Sequence, residues 1–273
     1  MFIIPAKKIA ILNLKGGTAK TTTTRNFGCI LAADYNKKVL LLDLDSSGDL
    51  SSTFSLRPKD GDTHCISELL VKRDLDPHDY ILHTKYPNVD LLPSNDTLAS
   101  AETFIRSDER NPQQLRLLRQ MEKIEAEYDY IIADCPPTEC LMVINALVFA
   151  NEVITPVEIS QDSINGMLRT VSLMNDMTYY NPSLKFRGVL FTRISNNAVD
   201  RDGVTTLQLP VPRFNTYIRS SVDVGKSRFQ NVMVREYKRS CNPAHDYDNA
   251  VAEYMGAKAP YPMAPYVASS VHE

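Results

Sequence analysis

Runs of apolar residues alternate along the chain with stretches whose apolar positions recur every three or four residues. A short continuous apolar run is typical of a strand buried on both faces, and the longer period is typical of a helix. Six runs are predicted as strands, at residues 8–14, 38–45, 89–93, 128–134, 152–157 and 186–192. The alternation predicts an α/β fold with a single doubly wound, mostly parallel sheet and helices on both faces.

The intervening helical patterns predict where the core lies. After the first strand, Phe27, Ile30 and Leu31 form one stripe on a helix. A later stripe runs along residues 164–174, and we interpret its five members as core: Ile164, Met167, Leu168, Val171 and Met174. A last helix is predicted at residues 247–255. We expect one domain over residues 1–256, followed by a flexible, proline-rich tail over residues 257–273.

The turn after the first strand has the composition of a phosphate site. Gly16 and Gly17 allow a sharp turn and leave room for a ligand against the main chain. Lys20 and Thr21 follow at the start of the predicted helix. There, backbone N–H groups face an anion, a lysine neutralises its charge, and a hydroxyl holds Mg²⁺. The alternative is an ordinary glycine-containing turn between a strand and a helix.

Carboxylates end two of the predicted strands. Asp43 and Asp45 close the second strand, and Asp134 closes the fourth, directly before Cys135 and two prolines. Ligands of parallel sheets lie beyond the carboxyl ends of the strands, so these side chains are expected beside the glycine turn. Asp43 and Asp45 alternate across their strand and therefore have different roles. The alternative is that the two are turn residues at a strand end.

Composition excludes several classes of protein. The chain has 273 residues, a net charge of −3 and 43% hydrophobic residues, an ordinary composition for one large soluble domain. No run approaches the roughly 18 apolar residues of a membrane span, and we expect no signal peptide. Five cysteines without a C-x-x-C pair favour a reducing, cytoplasmic environment.

Charge is unevenly distributed. Residues 185–240 carry 11 basic and 4 acidic residues, whereas the rest of the chain is acidic. Such a segment is a candidate surface for a polyanion, and the alternative is a solvated face. The candidate DNA-binding residues within it are Arg213, Arg219, Lys226, Arg228, Arg235, Lys238 and Arg239.

Four motifs together resemble the ParA/MinD family of ATPases. Residues 15–21 resemble its deviant phosphate loop K-G-G-x-x-K-[ST], with Ala19 where the family usually has glycine. Residues 43–49 resemble D-x-D-P-Q-G-N, with Ser46 and Ser47 in place of Pro-Gln. Residues 128–137 match Y-D-x-x-x-x-D-x-P-P, and a Pro-Arg turn at 212–213 precedes a match to S-x-G-K.

The resemblance implies ATP and Mg²⁺ as cofactors and gives roles to individual residues. Catalysis is assigned to Lys15, Lys20 and Asp45, with Asp45 activating the attacking water and Lys15 acting across a dimer. Mg²⁺ is assigned to Thr21, Asp43 and Asp134. The nucleotide is assigned to the loop and to the Pro-Arg turn, that is to Lys15, Gly16, Gly17, Thr18, Ala19, Lys20, Thr21, Thr22, Pro212 and Arg213. Residues 193–209 are predicted to be too short for the helix and strand that relatives have there.

The same resemblance implies partners. The expected function is that of a nucleoid-associated plasmid or chromosome partition ATPase. Its ATP-bound homodimer binds nonspecific DNA, and a ParB-like centromere-binding protein stimulates hydrolysis and release. A MinD-like positioning ATPase is an alternative, which the proline-rich tail disfavours because no amphipathic C-terminal helix is visible. A nucleotide-driven electron-transfer protein would need paired cysteines, and a nucleotide-binding switch with little hydrolysis is the remaining alternative.

Overall fold

The computed structural model describes residues 5–262. Seven strands within these residues form one sheet. In chain order its strands are β1 Lys7–Ile11, β2 Val39–Asp43, β3 Leu82–His83, β4 Val89–Leu92, β5 Tyr130–Asp134, β6 Glu152–Val157 and β7 Lys185–Phe191. Their spatial order is β3-β4-β2-β5-β1-β6-β7. Every neighbouring pair is parallel except β3–β4 at one edge. The predicted fold class is confirmed, and only this short antiparallel strand was not anticipated.

Eleven α-helices lie in the described part of the chain. They are α1 Lys20–Tyr35, α2 Asp49–Thr53, α3 Ile66–Val71, α4 Thr97–Ser107, α5 Arg116–Met121, α6 Leu141–Phe149, α7 Gln161–Met177, α8 Ala198–Thr206, α9 Val222–Phe229, α10 Val234–Tyr237 and α11 Asn242–Met255. Short 3₁₀ helices occupy Pro77–Tyr80, Gln113–Leu115 and Glu125–Glu127. The 3₁₀ helix Gln113–Leu115 leads directly into α5.

Successive residues of each strand point to opposite faces, and each face has its own core. On one face, Ile9 and Ile11 of β1 pack with α1 and α11. On the other face, Ala10 packs with α3 to α7. The central strands are buried on both sides, which explains why their sequences are continuously apolar.

One expectation from the helical pattern needs correction. Met167 and Met174 of α7 are buried, but Leu168 is 42% exposed. A stripe of five positions is wider than the contact that α7 makes with the sheet edge. Residues 193–209 hold one helix, α8, and no strand of the sheet, which agrees with the expectation that this segment is too short for both.

Part of the predicted tail follows α11. The ring of Tyr261 stacks on His245 with a centroid distance of 3.9 Å, and its backbone exchanges two hydrogen bonds with the Asn249 side chain. The remainder of the predicted tail, residues 263–273, lies outside the described residues. Within residues 5–262, no helix is both long and apolar enough to cross a bilayer.

Candidate active site

The glycine turn and the start of α1 form one wall of a cavity of about 490 Å³ at the carboxyl edge of the sheet. The phosphate loop, residues 15–21, contributes all its residues except Lys15. The opposite wall comes from the segment before α9, from α9 itself and from Tyr247 of α11. The size suits a small ligand, and the loop N–H groups at a helix N-terminus suit an anionic one.

Backbone conformation explains the shape of the loop. Gly17 has φ of +83°, and Ala19, which precedes α1 as its N-cap residue, has φ of +67° and ψ of +27°. Both lie in the left-handed region that glycine tolerates best. The family's usual glycine at position 19 therefore matches the conformation that this chain adopts with alanine.

Lys20 is held inside the site. Its Nζ donates a hydrogen bond to the carbonyl oxygen of Lys15 over 2.9 Å, and the residue is only 8% exposed. Burial lowers the pKa of the Lys20 ammonium, and the carboxylates of Asp134 and Asp45 oppose that shift. The loop thus carries a positioned cation that a phosphate can neutralise.

Two buried carboxylates meet on adjacent strands behind the loop. Asp43 of β2 and Asp134 of β5 are partners in the parallel register. Asp43 accepts hydrogen bonds from Ser51 N at 2.9 Å and Ser51 Oγ at 2.6 Å. Asp134 accepts one from Thr24 Oγ1 at 3.1 Å. Burial raises the pKa of Asp43 to about 6, and burial with the nearby Asp43 charge raises the pKa of Asp134.

This donor set fits Mg²⁺. Thr21 lines the cavity, and its hydroxyl lies near enough to Asp134 to oppose the rise in the pKa of that carboxyl. A cation there would offset the repulsion that raises the pKa of Asp134. No group of three or more His, Cys, Asp or Glu residues suited to a metal occurs in residues 5–262. That agrees with Mg²⁺, which keeps several waters and binds one or two carboxylates together with substrate phosphates.

Asp45 occupies a different position from Asp43. It lines the cavity and is half-buried, and its Oδ1 accepts a hydrogen bond from Ser47 N at 3.0 Å. Asp43 is fully buried behind it. The predicted difference between the two carboxylates therefore appears as one residue facing the cavity and one residue facing the protein.

The Pro-Arg turn is not brought to this cavity. Val189, in the middle of β7, donates to the Pro212 carbonyl oxygen at 3.0 Å and pairs with Arg213 in a parallel bridge. Arg213 Nη1 donates to the Val204 carbonyl oxygen. This pairing holds the turn below the carboxyl end of the sheet, and Pro212 and Arg213 line a separate surface pocket. These two residues do not line the cavity, and their contact with a nucleotide stays a prediction.

Residues further along the same segment line the cavity. Ile194, beyond the end of β7, bridges to Arg219, and residues 218–222 line the cavity. Thr192 Oγ1 donates to the Thr18 carbonyl oxygen at 3.1 Å, and Arg193 Nη1 donates to the Gly17 carbonyl oxygen at 3.0 Å. Sequence reasoning missed Thr192 and Arg193, although the strand-end rule applied to β7 would have found them.

The candidate DNA-binding residues fall into two groups. Arg219 forms a bidentate pair with buried Asp246, and Arg235 pairs with Asp34 and Asp248. With Arg213, these guanidinium groups are engaged by the protein itself. The exposed group comprises Lys226, Arg228, Lys238 and Arg239. In it, Lys238 lies 3.2 Å from Asp223 and Arg228 lies 3.9 Å from Asp49. Within residues 5–262, Lys226 and Arg239 form no ion pair.

Comparison with known proteins shows the family of the chain. A family model described as an AAA domain matches residues 6–186. The chain is 35% identical to the sporulation initiation inhibitor protein Soj of Bacillus subtilis over 88% of each chain. It is 33% identical to the chromosome partitioning protein ParA of Myxococcus xanthus over 70% of this chain and 66% of that one.

One similar solved structure contains a nucleotide and magnesium. Cobyrinic acid a,c-diamide synthase from Mycobacterium smegmatis, with bound ADP and magnesium, superposes with a TM-score of 0.72 at 29% identity, covering 87% of this chain and 98% of that one. The family model spans more than half of the chain. In the structure, the phosphate loop with Lys20 lines the cavity, and Asp43 and Asp134 end adjacent strands behind it. The chain belongs to the ParA/MinD family of ATPases, with ATP and Mg²⁺ as its cofactors.

Proposed function

We propose that this ATPase segregates DNA. ATP closes a homodimer, the dimer binds DNA without sequence preference, and a ParB-like centromere-binding protein stimulates hydrolysis and release. The observation that carries the proposal is the position of Arg228, which lines the nucleotide cavity and lies on α9 with exposed Lys226. The basic surface, which consists of Lys226, Arg228, Lys238 and Arg239, thus begins at the rim of the nucleotide site. Nucleotide binding and DNA binding are therefore expected to influence each other. Similarity to a chromosome partitioning protein supports a plasmid or chromosome as the cargo, with the ATPase itself nucleoid-associated.

Within each cavity, the residues divide the work. Lys20 neutralises the β- and γ-phosphates, and Thr21, Asp43 and Asp134 hold Mg²⁺ directly or through water. Mg²⁺ would supply charge neutralisation on the phosphate oxygens. Asp45, the half-buried carboxylate that faces the cavity, orients the attacking water.

Lys15 acts on the facing subunit. It precedes the glycines, does not line its own cavity, and its side chain is 44% exposed. Its Nζ lies 3.6 Å from Asp162, an exposed carboxylate that holds it only weakly. A lysine so placed reaches outward toward a phosphate bound by a second copy. It thereby links ATP occupancy to pairing and stabilises charge on the transferring phosphoryl group.

The DNA contact is carried by Lys226, Arg228, Lys238 and Arg239 in this proposal. Pairing two subunits doubles the number of cations that face one duplex. Each neutralised phosphate releases counterions and adds about −0.9 to the slope of log affinity against log salt. Affinity is therefore expected to rise steeply on ATP-driven pairing, with no preference among base sequences.

A fluorescence-anisotropy titration of two unrelated duplexes tests the proposal. The protein is titrated with ATP and Mg²⁺, with ADP, and without nucleotide, at several salt concentrations. We expect tight binding of both duplexes only with ATP. The Lys20→Ala variant serves as the control, because its response to ATP should be lost. Equal affinity in all three states, or strong preference for one duplex, contradicts the proposal.

A further inference from the structure

Helix α9 presents its large apolar side chains to solvent. Phe229 is 91% exposed. Val222, seven residues earlier on the same side of the helix with Lys226 between them, is 75% exposed and lines the nucleotide cavity. The opposite side of α9 faces the protein. Ser227 is buried, and Val224 packs against a small cluster formed by Val234, Cys241 and Ala244. The helix is therefore anchored, and its exposed apolar residues are not a consequence of fraying.

The surroundings of Phe229 are basic. Residues 221–240 contain five basic and two acidic residues. Lys226 and Arg228 are exposed on the same short helix, and Lys238 and Arg239 follow α10. A ligand of this surface must offer negative charge together with an apolar or aromatic face. A duplex offers both, since its phosphates are anionic and its base steps accept apolar side chains that wedge between them.

Two other occupants fit less well. The second copy of the proposed homodimer faces the nucleotide cavity, which Phe229 does not line. A copy seated on Phe229 itself would set Lys226 and Arg228 against their own copies, and like charges disfavour that contact. A lipid surface requires a continuous apolar stripe along a helix. On α9, Lys226 interrupts the stripe, and Val222 and Phe229 stand about 10 Å apart at 1.5 Å per residue.

We propose that α9 is a DNA-contacting element in which Phe229 inserts against the bases while the surrounding cations hold the phosphates. The inference rests on the proposed function, because DNA is its ligand. Val222 and Arg228 line the nucleotide cavity, so the inserted side chain lies on the helix that borders the bound nucleotide. The contact adds affinity without reading a base sequence, because an apolar wedge makes no hydrogen bond to a base edge.

The first test compares Phe229→Ala with Tyr179→Ala. Tyr179 is 85% exposed and follows α7, so its replacement removes an equally accessible ring outside residues 221–240. With ATP and Mg²⁺, Phe229→Ala should weaken duplex binding at least fivefold. Its salt slope should not change, because the charge is the same, whereas Lys226→Ala removes a cation and should flatten the slope by about 0.9 for each phosphate left unneutralised. Tyr179→Ala should bind like the unchanged protein.

The second test uses fluorescence. The chain contains no tryptophan, so a Phe229→Trp variant has a single indole at the proposed contact. Stacking against bases should quench its emission when duplex is added with ATP and Mg²⁺. Vesicles containing anionic lipid form the comparison arm, because insertion into lipid shifts indole emission to shorter wavelength. Quenching by duplex, together with weakened binding of Phe229→Ala, supports the inference. Absence of either result, or a response to vesicles alone, overturns it.

Failure of the inference differs from failure of the proposed function. If the unchanged protein binds duplex only with ATP, but Phe229→Ala binds equally well, the DNA-segregation proposal stands and the inserted aromatic is refuted. If the unchanged protein binds no duplex in any nucleotide state, the proposed function fails, and the inference fails with it.

Discussion

Replacing Ala19 by glycine should stabilise the nucleotide-free protein. Ala19 adopts φ of +67° and ψ of +27°, and the left-handed conformation costs an L-residue about 1–2 kcal/mol because Cβ approaches the following carbonyl oxygen. Glycine avoids this cost, but its freer unfolded chain subtracts about 0.4–1 kcal/mol. The expected net gain is about 0.5–1 kcal/mol. For a domain of this size, that gain raises the thermal midpoint by roughly 1–4 °C.

A control in the same helix isolates the backbone effect. Ala33 is exposed within α1, where glycine costs about 1 kcal/mol relative to alanine. Ala33→Gly should therefore lower the thermal midpoint by roughly 2–4 °C, so the same substitution gives opposite signs at the two ends of one helix. Thermal unfolding followed by circular dichroism, without nucleotide, measures both variants. If Ala19→Gly lowers the midpoint as Ala33→Gly does, the left-handed conformation at position 19 is refuted.

Four further results are expected from the site and the basic surface. Lys20→Ala should weaken ATP binding at least about tenfold, roughly 1.4 kcal/mol, in a calorimetric titration, and unchanged affinity would contradict the phosphate-loop assignment. Asp45→Ala should bind ATP and accumulate as a dimer on a sizing column. Hydrolysis at the parental rate would mean that another residue orients the attacking water. Lys15→Ala should bind ATP without turnover, and mixing it with Asp45→Ala should restore one site, unless Lys15 acts within its own subunit. Arg235→Ala should lower the free energy of unfolding by about 3 kcal/mol, because it leaves the buried carboxylate of Asp248 unpaired. Arg239 is exposed, so Arg239→Ala should change the free energy of unfolding by less than about 0.5 kcal/mol and should weaken DNA binding instead.

The sequence predicted those parts of the structure that depend on local pattern and on chain order. Continuous apolar runs indicated six of the seven strands, and Glu152–Val157 was predicted with the bounds that the structure has. In a parallel sheet all carboxyl ends meet at one edge, so Asp43 and Asp134 could be placed beside the loop without coordinates. The strand that was not predicted, Leu82–His83, has only two residues, which is too short for any periodicity.

Contacts between distant segments explain what the sequence did not predict. The Pro-Arg turn lies away from the cavity because Arg213 pairs with Val189 in the middle of β7, and no feature of the turn itself encodes that register. Arg235 looked like a free cation within a basic run. Its partner Asp34, 201 residues earlier in the chain, lies in the last turn of the helix that starts at the phosphate loop. A count of charges along the sequence cannot separate such a residue from an exposed one.

The pairing of Arg235 also connects the two halves of the proposed activity. Arg235 on α10 bonds Asp34 in the last turn of α1 and Asp248 on α11, while the first turn of α1 carries Lys20 and Thr21. Helix α9 packs on α10 and borders the nucleotide cavity. In the proposed function, two connections therefore link the phosphate site to the basic surface: the rim of the cavity and the ion pair at the far end of α1. In the proposed function, Arg235 therefore supports the DNA-binding surface, and the exposed residues around Phe229 form that surface.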